Sequence, residues 1–338
     1  GETFRASWAL ADEGDEAAAA LSLPLGASGA GLDVYASRSD ARIVEKSFEN
    51  LDIESLTETA GISFTQALID DLNRTLTLSL GFEAKNSETE LLGRDFSFSP
   101  GADDGESKTR VLLMGLDWLS RGPDHVLGLR ATYRRGLDVL DATVFEPRNP
   151  IDELINPTGA DGRFELGLFQ GIYLHRLNRL PGFGWTEDRG QLMVRSMAQL
   201  SADPLMSLEK VAVGGVNTVR GYRENLLVRD NGISATVELQ IPLPGYRAEP
   251  NWRNLLITPF LDYGRSWDND NTDQTSPSRD TTDRRWILGA GVGFLWEPVE
   301  GLRAQVYFGA DLDDNFDGDD PRTSGADDGL QGDGVHYS

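Results

Sequence analysis

Apolar and polar residues alternate with a period of two along most of the chain, which is the pattern of β-strands with one apolar and one polar face. The clearest apolar row consists of Leu76, Leu78, Leu80, Phe82 and Ala84. Almost no segment shows helical periodicity, so the pattern predicts an all-β fold. The predicted strands cover residues 2–11, 16–25, 31–38, 62–70, 74–85, 109–119, 125–135, 163–175, 190–200, 231–242, 254–267, 285–297, 301–311 and a short segment from 334.

The connections between the predicted strands alternate in length. After the first, the odd-numbered connections are long, as at 201–230, whereas the even-numbered ones are mostly short, as at 71–73 and 298–300. A meander with tight turns at one end and long loops at the other is typical of transmembrane antiparallel β-barrels of the outer membrane. The alternative, a soluble β-sandwich, shares the alternation but has no such bias in its connections.

Aromatic residues on the predicted apolar faces have the spacing of a membrane girdle. Trp286 and Trp296 share one face of one strand, ten residues apart. At ~3.3 Å per residue and ~40° tilt they would stand ~25 Å apart along the membrane normal, the height of an outer-membrane apolar band. Tyr263 and Trp267 lie near the upper end of the preceding strand and are expected in the outer girdle.

Two predicted strands are irregular. Gln170 interrupts a row that we expect to face outward, and the last strand ends at Ser338 after fewer residues than the ~9 to 11 that cross a membrane. The C-terminal strand is therefore expected to be truncated. The interrupted row consists of Phe164, Leu166, Leu168, Ile172 and Leu174.

Composition and charge exclude several classes of function. The net charge is −24, and so acidic a surface argues against nucleic acid or anionic headgroups as partners. The absence of cysteine excludes disulfides and thiol-ligated metals, and the three histidines, His125, His175 and His336, are far apart in the sequence. No nucleophile elbow or phosphate-binding loop occurs, so we expect neither an enzyme nor a cofactor.

Acidic clusters in two predicted loops invite a test for metal binding. Residues 313–318 match the opening of a calcium-binding loop, but position 12 is Ser324 where that loop needs a glutamate. The second cluster comprises Asp268, Asp270 and Asp273. On acidic extracellular loops we expect at most weak divalent cations, shared with lipopolysaccharide.

A group of motifs late in the chain resembles a known family. The connection at 201–230 contains Gly214-Gly215 and then Val219-Arg220-Gly221-Tyr222, followed by strands that carry Glu238 and Phe260-Leu261-Asp262-Tyr263-Gly264. In this order the motifs resemble the haemolysin-secretion type of two-partner secretion transporters. That family belongs to a superfamily that joins periplasmic POTRA domains to a 16-stranded outer-membrane barrel.

The resemblance implies that residues 201–230 form a loop inserted into the lumen, where Arg220 docks on Asp262. Strand alternation independently turns Asp262 and Glu238 toward the lumen. Arginine suits this role because its planar fork engages carboxylates in pairs and keeps its charge when desolvated; the alternative is a solvated Arg220. The expected latch is Val219, Arg220, Gly221 and Tyr222, and its expected wall partners are Glu238, Phe260, Asp262 and Gly264.

The resemblance also implies how the chain is organised and what it does. We expect residues 1–338 to be an outer-membrane barrel domain with about 14 of 16 strands, without the POTRA domains and first strand or strands. The implied activity is export of an unfolded exoprotein across the outer membrane of a Gram-negative bacterium. Two alternatives remain open: a barrel-assembly insertase of the same superfamily, and a passive porin or structural barrel whose conductance does not depend on Arg220.

Overall fold

The structure is a computed structural model of the chain. No helix in the described residues is long and apolar enough to cross a membrane. The described residues are 2–11, 14–26, 29–42, 53–97, 101–102, 105–147, 156–177, 190–243, 246, 253–269, 285–312 and 335–337.

In the described part of the chain, fourteen strands follow one another in chain order through a single antiparallel sheet. This arrangement confirms the predicted all-β fold and its strand number. A two-residue strand pairs with β5 outside this order, and β11 and β12 form a separate hairpin. The strands are β1 (Thr3–Ala11), β2 (Gly14–Leu25), β3 (Ala30–Arg42), β4 (Ile53–Asp70), β5 (Arg74–Leu91), β6 (Arg94–Asp95), β7 (Glu106–Arg121), β8 (His125–Gly136), β9 (Glu165–Leu177), β10 (Gly190–Ser201), β11 (Val211–Val213), β12 (Leu227–Arg229), β13 (Asn231–Pro242), β14 (Leu255–Trp267), β15 (Arg285–Val299), β16 (Leu302–Asp311) and β17 (Val335–Tyr337).

Strands β4 and β5 extend well beyond their predicted bounds, since β4 begins at Ile53 and β5 ends at Leu91. The added segments pair mainly polar residues with polar residues, as Glu58 with Asn86, although Ile53 pairs with Leu91. On the other side of β4, Arg38 forms an exposed ion pair of 2.7 Å with Glu58. Outside the apolar band neither face needs to be apolar, so alternation fades and only backbone pairing marks the strand.

The two faces of the sheet differ in what covers them. In β14, Phe260 and Asp262 are 6% and 0% exposed, whereas Leu261 and Tyr263, which alternate with them, are 47% and 37% exposed. The first pair faces the segment between β10 and β13, which packs on this side; we call this side the inner face and the space beside it the lumen. Exposed apolar side chains on the other face suit contact with lipid.

The predicted orientation of β9 is wrong, because its apolar row faces inward. Ile172 pairs with Gly128, where an added Cβ would lie 3.1 Å from the Ile172 Cγ2 atom. Leu166 is 2% exposed, in a buried cluster with Leu205 of the long loop. On the outer face Phe169 is 49% exposed. Gln170 therefore faces the lumen and interrupts nothing on the lipid side.

Two of the histidines that lie far apart in the sequence are neighbours in the sheet. His125 of β8 and His175 of β9 are register partners, and Tyr173 stacks on His175 with ring centroids 6.0 Å apart. Within the described residues no group of three or more His, Cys, Asp or Glu side chains could hold a metal ion.

The four residues predicted for the girdle lie on the outward positions of β14 and β15. Trp286 and Trp296 are 44% and 41% exposed, and Trp296 pairs with Leu255 at one end of β14. Tyr263 and Trp267 lie toward the other end of that strand. Their role at a membrane interface stays a prediction.

Candidate functional site

The segment of residues 202–230, between β10 and β13, folds on itself and packs against the inner face; we call it the long loop. It contains the 3₁₀ turn Ser207–Glu209 and the β11–β12 hairpin. Val213, Val219, Tyr222 and Leu227 of the loop form a buried cluster with Ile287 of β15. The loop is thus a structured element with an apolar core shared with the wall.

The tip of the loop is tight because of two glycines in the left-handed region. Gly214 and Gly215 have φ values of +121° and +94°, where other residues are strained. The Gly215 N–H donates to the Val219 carbonyl at 3.1 Å, and the Val216 N–H donates to Glu224 Oε1 at 2.7 Å. These bonds turn the chain back on itself directly before Arg220.

Arg220 is 2% exposed and joins the loop to two strands of the wall. Its Nε and Nη2 donate to Asp262 Oδ2 and Oδ1 at 2.7 and 2.8 Å, and its Nη1 donates to Glu238 Oε2 at 2.7 Å. The Arg220 backbone N–H also donates to Asp262 Oδ2 at 3.0 Å. Asp262 and Glu238, 0% and 1% exposed, therefore have a charged partner in a site closed to bulk water.

Two aromatic rings surround the guanidinium. Its carbon lies 3.5 Å from the Phe260 ring centroid and 4.5 Å from that of Tyr307. A desolvated cation over a ring face gains roughly 2 kcal/mol. Burial disfavours the charged form, but hydrogen bonds and charges from Asp262 and Glu238 outweigh it and raise the pKa of Arg220 above its ordinary value. Arg220 therefore stays protonated at physiological pH.

Glycines on the inner face let the loop approach the wall closely. At Gly289 a Cβ would overlap the Arg220 carbonyl oxygen, and at Gly309 it would lie 2.7 Å from the Gly221 nitrogen. At Gly264 it would lie 2.7 Å from Val219 Cγ2. The expected latch and wall residues thus meet at one place, where the Tyr222 hydroxyl also donates to the Leu288 carbonyl at 3.1 Å.

A second contact, which the sequence pattern does not predict, fixes the beginning of the loop to distant strands. Glu209 is 6% exposed and lies 3.2 Å from Lys85 Nζ of β5 and 2.8 Å from Arg134 Nη2 of β8. Arg134 also lies 3.1 Å from Glu83. The only sequence signal is indirect: Glu83, Lys85 and Arg134 are charges at positions that alternation turns inward, where charges need partners.

A third set of contacts lies where the loop returns to the sheet. Lys210 Nζ is 3.0 Å from Asp230 and 3.1 Å from Asp268, and Arg229 Nη1 is 2.9 Å from Asp268. The Asn269 N–H donates to Asp230 Oδ2 at 2.8 Å. Asp268, part of a predicted acidic cluster, is therefore engaged in ion pairs. The other acidic residues of the predicted cation sites, Asp270, Asp273 and residues 313–318, lie outside the described residues.

The loop is held at the lumen wall by ion pairs in which the loop contributes a cation at one place and an anion at another. Arg220 brings a positive charge to wall carboxylates, whereas Glu209 brings a negative charge to wall cations. Such contacts are strong while water is excluded and exchange readily once water enters. The arrangement therefore suits an element that occludes a wet channel and is able to move.

A family model and several solved structures match the chain. The model of the haemolysin secretion/activation protein ShlB/FhaC/HecB matches residues 9–295. No curated protein matches the sequence. The structure of CdiB from Escherichia coli is 18% identical and covers 89% of this chain and 49% of that chain, with a TM-score of 0.65.

Two further structures support the same fold. CdiB from Acinetobacter baumannii is 17% identical, with a TM-score of 0.62 over 89% of this chain and 47% of that chain. BamA from Haemophilus ducreyi lacking POTRA domains 1–3 is 11% identical, with a TM-score of 0.61 over 100% of this chain and 63% of that chain. The chain spans about half the length of the CdiB structures, and at these identities the likeness shows the fold alone.

Proposed function

This chain belongs to the haemolysin secretion/activation family ShlB/FhaC/HecB, and we propose that it forms the channel of a two-partner secretion transporter that exports an unfolded exoprotein. The family consists of transporters rather than enzymes, and its fold is that of β-barrels of the Gram-negative outer membrane. In the proposed mechanism the long loop occludes the lumen at rest. Its displacement opens a path for the exoprotein.

The observation that carries the proposal is the burial of Arg220 between Asp262 and Glu238 on the inner face. A guanidinium with two carboxylates is stable in a dry site, yet water or a passing polar backbone competes for each hydrogen bond. The docked loop is therefore one of two states, and its release requires no covalent chemistry. We propose Val219, Arg220, Gly221 and Tyr222 as the latch, with Glu238, Phe260, Asp262 and Gly264 as its seat.

The two rival functions make different predictions. A barrel-assembly insertase is supported by the likeness to BamA, but that likeness is of fold alone at 11% identity. A passive porin needs no occluding element, whereas here a loop with its own apolar core packs on the inner face. The family model favours the transporter over both.

The test compares Arg220→Ala with a matched arginine whose ion pair is exposed. Arg38, paired with Glu58 at 59% and 50% exposure of the two side chains, is that control. Removing one partner of a buried pair costs about 3 to 5 kcal/mol, whereas an exposed pair contributes about 0 to 1 kcal/mol. Arg220→Ala should therefore reduce export strongly, and Arg38→Ala should leave it unchanged.

The measurement is quantitative mass spectrometry of the culture medium from cells that carry the whole transporter, each variant, or a deletion. We expect deletion to remove a large exported protein and Arg220→Ala to reduce it, with barrel folding checked by heat-modifiable gel mobility. Normal export in the deletion strain would refute the transporter. A deletion that instead depletes other outer-membrane barrels would support the insertase.

Channel recordings in planar bilayers separate the transporter from a porin. We expect low or flickering current in the wild type and more frequent opening in Arg220→Ala, because the docked loop occludes the lumen. A high, steady current that is identical in both would indicate a porin.

A further inference from the structure

The inner wall on the β7–β10 side borders a cavity of about 700 Å³. Apolar and polar side chains share its lining, among them Ile172, Leu119 and Met197 with Asp117, Arg130 and Arg195. Asn217 and Thr218 of the loop tip also line the cavity. The cavity therefore lies in the lumen, beside the tip of the docked loop.

Ile172 is unusual in this position because it is 40% exposed although it faces the lumen. Its side chain packs over Gly128, where an added Cβ would lie 3.1 Å from Ile172 Cγ2 and 4.0 Å from Leu119 Cδ1. Ile172 and Leu119 thus form a continuous apolar surface across β7, β8 and β9. In a wet channel an exposed apolar surface is unfavourable unless something covers it.

At the beginning of β9, the same row of apolar side chains contacts the long loop. Leu166, with Leu168 packed beside it, forms a buried cluster with Val111 and Leu205. Leu205 belongs to the long loop and is 1% exposed. An apolar side chain of the irregular loop thus covers the row at the beginning of β9. Ile172 lies two inward positions beyond Leu168 in the same row and is not part of that cluster.

The geometry of the row suits an extended polypeptide. Successive inward positions on a strand, such as those of Ile172 and Leu174, are ~6.6 Å apart, which is also the spacing of alternate side chains in an extended peptide. A peptide that runs along β9 would therefore place every second side chain on the row.

The polar part of the lining complements the backbone of such a peptide. Asp117 and Arg130 form an ion pair across β7 and β8, and Gln170, Thr236 and Thr218 add amide and hydroxyl groups. An unfolded chain carries unpaired N–H and C=O groups at every residue, which need such partners when they leave water.

We infer that the β7–β10 wall is a binding site for extended, unfolded polypeptide with apolar side chains at alternate positions, centred on Ile172, Leu119 and Met197. The inference rests on the proposed export function, because the exoprotein in transit is the occupant. The site would give the exoprotein weak, repeated contacts on its way through the lumen. The wall beside Arg220 would remain the seat of the loop.

The test measures binding of a fluorescein-labelled 12-residue peptide of alternating Val and Thr to the whole transporter in lipid nanodiscs, by fluorescence anisotropy. Ile172→Asn should weaken binding about fivefold through loss of part of one apolar contact, and Ile172→Leu should restore it. The matched control is Leu72→Asn, since Leu72 is 95% exposed in the turn between β4 and β5. A peptide with Ser in place of Val should also bind about fivefold or more weakly.

Equal binding of the two peptides, or unchanged binding by Ile172→Asn, would overturn the inference. A photo-crosslinking residue in place of Met197 provides an independent measurement in cells. We expect cross-links to an exported protein; cross-links only within the transporter chain would mean that a segment of its own covers the site, and would also overturn the inference. The export function fails by a different result, namely normal export in the deletion strain.

Discussion

At the scale of single residues, the Arg220 site depends on the shape of the guanidinium as much as on its charge. Three side-chain hydrogen bonds join it to two carboxylates on neighbouring strands, and Phe260 lies beneath its plane. An ammonium group is a point charge and cannot fill this planar, forked site. Gly289 and Gly309 provide the space for the backbone that carries it.

We predict that the undocked fraction of the loop is larger in Arg220→Lys than in the wild type, and larger still in Arg220→Ala. Loss of the paired fork should shift docking by roughly 1 to 2 kcal/mol, about a tenfold change in the undocked fraction. The chain has no cysteine, so Val213→Cys, at a position 0% exposed in the loop cluster, gives a single reporter thiol. Its rate of maleimide labelling measures undocking, and equal rates in all three proteins would contradict this role of Arg220.

Gly289→Ala should undock the loop without removing any charge, because the added Cβ overlaps the Arg220 carbonyl oxygen. Overpacking of a closed contact costs typically ~1 to 3 kcal/mol. Labelling of the Val213→Cys reporter should increase accordingly. Ala290→Val, at the neighbouring outward position, is the control and should leave the labelling rate unchanged. If it increases the rate as much as Gly289→Ala does, the effect comes from a general disturbance of β15 and not from the contact with Arg220.

At the scale of elements, the long loop spans the lumen between two anchors of opposite sign. Arg220 binds β13 and β14, whereas Glu209 binds β5 and β8. Just before the Glu209 anchor in the chain, Leu205 packs into the inner row of β9. Movement of the loop therefore requires the loss of contacts with two separate groups of strands on the inner face.

We predict that Glu209→Gln undocks the beginning of the loop while Arg220 remains bound. The change removes the shared carboxylate of Lys85 and Arg134, whose side chains are 17% and 18% exposed, while Arg134 keeps Glu83 as a partner. The loss should therefore cost about 1 to 3 kcal/mol. Limited proteolysis after Lys210 should become faster, whereas the Val213→Cys reporter should change less than in Arg220→Ala. A double-mutant cycle of the two changes would show coupling if the loop moves as one unit, and additivity if each anchor acts alone.

At the scale of the whole molecule, one sheet separates two solvents. Large apolar side chains on the outer face, such as Leu80, Leu112 and Met114, are 46%, 47% and 49% exposed. The inner face carries the ion pairs of Arg220 and Glu209 and the cavity. This distribution is the reverse of a soluble β-sandwich, whose apolar faces meet in a dry centre.

Leu80→Arg should therefore destabilise the folded protein in lipid by about 2 to 4 kcal/mol, since it places a charge on the middle of the lipid face. Thr77 lies on the same strand as Leu80 but lines the cavity in the lumen, so Thr77→Arg should cost much less. Folding into lipid vesicles, followed by gel mobility during urea titration, measures both. Equal costs for the two changes would contradict the assignment of the faces.

Much of the fold follows from the sequence. Alternation identified all fourteen strands of the main sheet, because a strand with one apolar face repeats every two residues whatever surrounds it. The pairing of Arg220 with Asp262 was expected from the resemblance and from the inward parity of β14. Local chemistry and strand geometry suffice for features of this kind.

Other features depend on the tertiary structure. Alternation divides β9 into two rows but does not say which row faces lipid, and only the docked Leu205 shows why the apolar row faces the lumen. The ion pair of Glu209 with Lys85 joins residues 124 positions apart in the sequence. His125 and His175, also distant in the sequence, become register partners only because β8 pairs with β9. The sequence determines the period of each strand, since that depends on adjacent residues. Only folding decides which strands curve around the loop and which side chains then meet.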